Sequence, residues 1–313
     1  MKIRLLTILF VLLGAVTSYA QKPLEPIILG DERLPEYIHL LQGKRVGVLT
    51  NHTAIIDSIH LVDTLLKSGV DVKRIFTPED GFRGDGMERH HDSYSGIEVV
   101  ALDQEPKAND VFGCDVVVFD IQCIGVGECS ALVSLMRMMQ VCADIGVQFV
   151  ILDRPNPFGN VVDGPIVEPQ LRGKSGLSLP LMYGMTLGEV ARMVNGEGWL
   201  RGGAKCRLIV VPCLGYGNYV LSENTEVIAA GLCMDIPIVS NNSIDLTQIV
   251  EAHRLRADNE EFFVSEDFDK QIGVNYVREM IVLGYSAEEI EQVWRDDVER
   301  FVVKRKPYLI YEY

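Results

Sequence analysis

The chain has 313 residues, 48% hydrophobic and 23% charged, enough apolar material for one large domain or two smaller ones and far from a disordered composition. Its formal charge is −15 and no basic stripe interrupts the acidity, which repels polyphosphates and sets nucleic acid aside as a partner.

Residues 1–20, "MKIRLLTILFVLLGAVTSYA", carry Lys2 and Arg4, an apolar run from Leu5 to Val16, and Ser18-Tyr19-Ala20 in the small-x-small pattern of a signal peptidase site. The expectation is a cleaved signal peptide and export to the periplasm or cell surface. The apolar run is shorter than the roughly 20 residues of a spanning helix, so no stable membrane span is expected after cleavage. No Cys follows Ala20, which argues against a lipoprotein signal. Losing Lys2 and Arg4 takes the charge from −15 to −17.

After a Pro-containing lead, "RVGVLT" (45–50), "VKRIFT" (72–77), "IEVVAL" (97–102), "VVVFDIQ" (116–122), "QFVILD" (148–153) and "CRLIVVP" (206–212) are short apolar runs without polar alternation. Such runs suit strands covered on both faces, as in a parallel sheet. Helical periodicity falls between them at Ile59 to Ser68, Ala131 to Ile145 and Thr186 to Asn195. The βαβα order predicts an α/β fold with a doubly wound, mainly parallel sheet. From about 222 the pattern weakens, and "EVIAAGLCMDIPIV" reads as helix then strand. A capping box, Ser286 to Glu289, then opens a helix through Arg300 with Ile290, Val293, Trp294, Val298 and Phe301 on its apolar face. The expected division is a leader (1–20), a catalytic-type α/β domain (21–221) and a small C-terminal α/β or helical subdomain (222–313).

In an open parallel sheet the loops leaving the strands gather at one edge, where the crevice forms. Those loops carry Asn51-His52-Thr53, the "PEDGFRG" run with Glu79 and Arg83, Asp120 with Gln122, and Asp153-Arg154-Pro155-Asn156. Each has two readings. Asn51 and Thr53 cap the following turn or bind a ligand; Asp120 satisfies backbone donors or serves chemistry; Asp153 and Arg154 pair with each other to shape the "RPNP" turn or face substrate. Pro78 stiffens the approach to Glu79, while Gly81 and Gly84 leave backbone room for a ligand.

No dinucleotide or phosphate-loop fingerprint and no GxSxG elbow is present, so no cofactor is expected. His90-His91 beside Asp92 invites a metal, but adjacent side chains usually point apart, and no metal site is assigned. The seven cysteines form no CxxC pair; Cys114, Cys142, Cys206 and Cys213 sit in apolar contexts that suit buried thiols, and pairing among the others stays open. Acid–base chemistry by carboxylates on an uncharged polar substrate remains, and glycosidic hydrolysis fits: a carboxylic acid near the leaving oxygen and a second group for the cationic transition state.

"GVLTNHT", "IFTPEDGFRG", "VVVFDIQCIGV", "VILDRPNPFG", "DGPIV" and "YGMTLGEVARMVN", in this order, resemble the NamZ family of exo-β-N-acetylmuramidases, as does the closing "GVNYVREMIVLGYSAEEIEQVWRDDVERFVVKRKPYLIY". The resemblance implies a Rossmann-like catalytic domain that releases terminal N-acetylmuramic acid (MurNAc) from peptidoglycan fragments. It puts the family's proposed catalytic glutamate on Glu79. Asp120 is the expected electrostatic partner, with Asn51, His52, Arg83, Gln122, Asp153, Arg154 and Asn156 around the saccharide. The chain departs from the family pattern at Asp80, Cys123, Gly127, Cys129 and Tyr183, and a family segment between about 215 and 265 reads as deleted or unrecognisable. These departures keep a second expectation open: a catalytically degenerate relative that binds muropeptides, cell-wall sugars or a protein partner.

Overall fold

The structure, a computed structural model, describes residues 26–78, 81–83, 90–102, 106–168, 174–217, 239–240, 243–255, 263 and 265–311. The expected leader, Glu79 and Asp80, and most of the weakly patterned stretch after 222 lie outside the described residues. No helix among the described residues is long and apolar enough to cross a membrane.

Seven strands form one sheet in the order β11-β8-β7-β1-β4-β6-β5. They are β1 (Arg45–Thr50), β4 (Asp71–Thr77), β5 (His90–His91), β6 (Glu98–Ala101), β7 (Val116–Asp120), β8 (Gln148–Leu152) and β11 (Arg207–Val211). All pairs are parallel except the edge pair β5–β6. The six apolar runs all become strands, because a strand buried on both faces has no polar side to display. The run through 116–122 stops at Asp120.

The two faces of the sheet bury separate cores. Leu49, Phe76, Phe119 and Phe149 face α3 (Ala108–Val111), α4 (Ser130–Ile145) and α5 (Leu187–Glu197). Val48, Ile75, Val118 and Val150 face α1 (Leu34–Leu41) and α2 (Leu61–Lys67). Helix α4 is buried over most of its circumference, and Gly146 ends it with φ 74° in the left-handed region that glycine adopts freely. A capping box of Thr186 and Glu189 opens α5.

The stretch read as helical from Ile59 begins with a hairpin instead, β2 (Ile55–Ile56) against β3 (Ile59–His60), and helix starts only at Leu61. The turn residues Asp57 and Ser58 both have positive φ, as a two-residue hairpin turn requires.

A second layer follows β8: β9 (Val162–Ile166) pairs antiparallel with β10 (Pro180–Tyr183). A short hairpin, β12 (Val239–Ser240) and β13 (Ser243–Ile244), leads to α6 (Thr247–Leu255), α7 (Ser265–Ile272), α8 (Tyr276–Val282) and α9 (Ala287–Arg305). The C-terminal part packs Ile244, Ile272, Val277, Ile290 and Trp294 on Leu181 and Met182 of β10. The Ser286–Glu289 capping box opens α9 as expected, but the helix runs to Arg305 and Val293 is 49% exposed, outside the buried stripe.

The lead is more than an approach. Ile28 bridges Leu214, Gly30 N–H donates to Asp153 C=O, and the segment lies across the C-terminal ends of β8 and β11. A Cβ on Gly30 would sit 2.5 Å from Asp153 N and 2.7 Å from Val211 O, backbone atoms that cannot step aside. Gly30→Ala is expected to lower unfolding free energy by about 1–3 kcal/mol in a denaturant titration; an unchanged midpoint would show that the lead does not pack this way.

Candidate active site

From β1 the chain winds to β4 and β6 on one side, then returns to lay β7, β8 and β11 on the other. The sense of winding reverses between β1 and β7, and in open α/β sheets the crevice forms beyond the strand ends at such a reversal. Thr50 and Asp120 face each other in register there.

Hydrogen bonds tie the loops at this edge to one another. Asn51 Oδ1 accepts from Thr53 N–H (3.0 Å) and its hydroxyl (2.6 Å), an Asx turn that holds the loop after β1. Thr53 Oγ1 accepts from Gln122 N–H (3.0 Å), joining that loop to the one after β7. Gln122 Nε2 donates to Pro155 C=O (2.8 Å), joining it to the loop after β8. Asn156 caps its own turn through Phe158 N–H and donates to Met185 C=O. Gly125 is required beside it: a Cβ there would lie 2.3 Å from the Asn156 amide.

Asp153 and Arg154 do not pair with each other, which corrects the ion-pair reading of the "RPNP" turn. They belong to opposite faces of the sheet. Asp153 accepts from Thr186 Oγ1 (2.7 Å), Gly188 N–H (2.9 Å) and Tyr311 O–H (2.7 Å), joining β8 to the start of α5 and to the C-terminus. Burial pushes its carboxyl up to about 6 despite these donors. Arg154 places Nε 2.5 Å from one Asp120 oxygen and Nη2 3.1 Å from the other, and Nη2 also reaches Asp31 Oδ2 at 2.6 Å. Asp31 and Asp120 are fully buried. Two carboxylates thus share one guanidinium away from water. Burial first, and Asp120 second, raise the Asp31 carboxyl to about 7, against the opposing pull of Arg154. Asp31 Oδ1 is buried with no hydrogen-bond partner among the described residues.

On the other side of β1, the loop after β4 holds Phe82 in the core and directs Arg83 outward. The guanidinium forms two bonds with Asp63 (2.9 and 3.1 Å) and one with Asp92 (3.1 Å), and lies over the Phe82 and Tyr94 rings. With Tyr94, Ile59 and Lys67 it borders an open cavity of about 610 Å³. His52 is exposed, while Asn51 is buried. His90 and His91 alternate along β5, and no cluster of three or more potential metal ligands occurs among the described residues.

The expected residues therefore fall into a rim and a brace. Asn51, His52, Gln122 and Asn156 lie on the converging loops; Asp120, Arg154 and Asp153 are buried beneath them; Arg83 stands to one side with two acids of its own. Sequence reasoning missed Asp31, which sits in a short lead with no periodic pattern around it. It also left open the disulfide Cys123–Cys129 that closes the loop between β7 and α4. Cys114, Cys142, Cys206 and Cys213 are buried free thiols.

The family model described as the N-terminal part of exo-β-N-acetylmuramidase NamZ matches residues 46–229, and that of the C-terminal part matches 238–311. The second match begins inside the stretch read from sequence as deleted or unrecognisable, so part of that stretch belongs to the family's C-terminal region. The chain is 34% identical to the peptidoglycan β-N-acetylmuramidase NamZ of Bacillus subtilis (strain 168) over 179 residues, 53% of this chain and 43% of that protein. The match thus spans less than half the length of this curated relative. Two DUF1343 family proteins from Bacteroides fragilis NCTC 9343 have similar crystal structures. One has a TM-score of 0.81 at 30% identity, covering 92% of this chain and 99% of its own; the other has 0.78 at 23%, covering 91% and 99%.

The buried carboxyls set a pH dependence of stability. Their folded-state pKa values, about 7 for Asp31 and about 6 for Asp153, lie above the ordinary value of 3.8. The folded protein therefore holds protons that the unfolded chain has released, and stability falls as pH rises from about 4 to about 7. Asp31→Asn removes one of these protons from the balance. Relative to wild type, its unfolding free energy is expected to improve by about 1–3 kcal/mol between pH 5 and pH 8. Parallel pH profiles for the two proteins would refute this.

Proposed function

The chain belongs to the NamZ family, and from that premise we propose that it is an exported peptidoglycan glycosidase that releases terminal MurNAc from peptidoglycan fragments, without metal or cofactor. The observation that carries this reading is the family match over 46–229, because that span includes the loops after β1, β4, β7 and β8. The curated relative's name supports the same substrate class.

In this reading Glu79 is the general acid. It follows β4 by two positions and precedes Gly81, whose φ of 82° turns the chain sharply there. Arg83 has its charge balanced by Asp63 and Asp92, which lessens its tendency to hold a nearby carboxyl ionised. Asp120 acts through Arg154 and not by contact, since both its oxygens are held by the guanidinium. Exposed His52 and half-buried Gln122 provide hydrogen-bonding surface for a saccharide, on loops that the buried amides Asn51 and Asn156 hold in place.

One observation favours the second reading, a relative that binds cell-wall sugars without cleaving them. Cys123 and Cys129, at two of the departures from the family pattern, are joined in a disulfide, and Tyr183, at a third, is fully buried with its hydroxyl against Cys123 Sγ.

One assay separates the two. Incubating the protein with MurNAc-GlcNAc is expected to release free MurNAc, and Glu79→Gln is expected to lower kcat by about 10²–10⁴-fold with unchanged thermal stability. Measurable sugar binding without turnover in the wild type would favour the binding protein, and full activity in Glu79→Gln would remove that residue from the acid role.

A further inference from the structure

A separate hollow of about 200 Å³ opens at the N-terminus of α4. Leu102 lines it, and the Leu102 N–H donates to Thr77 C=O (2.8 Å) at the end of β4. The hollow therefore lies beside the C-terminal end of β4, on the face of the sheet opposite the Arg154 brace.

Its lining is rich in unused donors. Ser134 is only 2% exposed, faces the hollow, and its hydroxyl has no hydrogen-bond partner among the described residues. Arg137 donates from Nη1 to Leu102 C=O (2.7 Å), which fixes the guanidinium; its Nε and Nη2 have no protein partner among the described residues. At the helix start, the first-turn N–H groups of Ser130 and Ala131 have no acceptor within the helix by position. The first turn carries no acid, and the cap is a sulfur: Cys129 Sγ accepts from Leu132 N–H at 3.4 Å. The carboxylate in the lining, Glu128, is engaged, each oxygen accepting a backbone N–H of Lys174 or Ser175 at 2.7 Å. That contact brings Lys174 to the hollow's edge.

These donors suit a carboxylate. The volume is below the roughly 300–1,000 Å³ of sites that enclose a whole drug-sized ligand, so the hollow fits a substituent of a sugar better than a sugar ring. We propose that it is the subsite for the 3-O-lactyl group of MurNAc: Arg137 and Ser134 receive the carboxylate at the α4 N-terminus, and Val133 and Leu102 receive the methyl. This deepens the glycosidase reading and rests on it, making Arg137 a specificity-determining residue that separates MurNAc from GlcNAc, which lacks the lactyl arm.

Binding of free MurNAc and of GlcNAc to the whole protein, measured by calorimetry, tests it without requiring turnover. The wild type is expected to prefer MurNAc by about tenfold or more, as a charge-assisted bond would give. Arg137→Gln is expected to bring MurNAc to parity while leaving GlcNAc affinity unchanged, Arg137→Lys to keep part of the preference, and Ser134→Ala to lose a smaller part. Should Arg137→Gln not fold, judged by its thermal melt, Ser134→Ala decides. No preference in the wild type, or one insensitive to these variants, overturns the proposal even where MurNAc-GlcNAc is hydrolysed. A preference lost in Arg137→Gln upholds it even where hydrolysis is absent, in which case only the hydrolase reading fails.

Discussion

Arg154 is the charge around which the edge of the sheet is organised. It is buried between Asp120 at the end of β7 and Asp31 in the lead, so its ionic bonds join three segments remote in sequence. A guanidinium taken out of water is costly unless its donors are matched, and here the fork is nearly filled by carboxylate oxygens. Removing one partner would leave charge stranded, whereas the set together holds the loop after β8 against the loop after β7. The second acid makes the set over-acidic, and protonation of Asp31 near neutrality relieves that excess.

The rim built on this brace is held by neutral bonds. Thr53, Gln122 and Pro155 form a chain of contacts from β1 to β8, and the Cys123–Cys129 disulfide closes the segment between them. A site positioned by strand ends and cross-loop bonds keeps its geometry better than one on an isolated loop. The same edge carries two different electrostatic environments: a closed ion cluster on the α1/α2 face, and an open, donor-lined hollow at α4 on the other. Those environments suit different tasks, the first to fix geometry and the second to receive an anionic group.

Much of the sheet was legible because parallel strands buried on both faces leave continuous apolar runs, as in Val116–Asp120 and Gln148–Leu152. The convergence of Asn51, Gln122 and Asn156 followed from topology alone. What escaped reading depends on long-range pairing. Asp31 meets Arg154 across 123 residues, and nothing near it in sequence marks it as buried. Asp153 and Arg154 are neighbours in sequence yet point to opposite faces, carrying the alternation of β8 past its last residue, so adjacency misled where alternation would have served. Ile59 and His60 read as helical because a two-residue strand is too short to show a period, and the Asp57-Ser58 turn lacks the glycine that signals such hairpins. Val293 satisfied the helical spacing but stands about half exposed on its flank of α9.

Hydrogen exchange on Arg154→Met tests the central claim most directly. If Arg154 joins the three segments, amides in 28–33, 120–123 and 154–158 should lose protection together while the centres of β1 and β7 keep theirs. Faster exchange confined to 154–158, or none at all, would contradict the view that this one buried guanidinium sets the shape of the crevice.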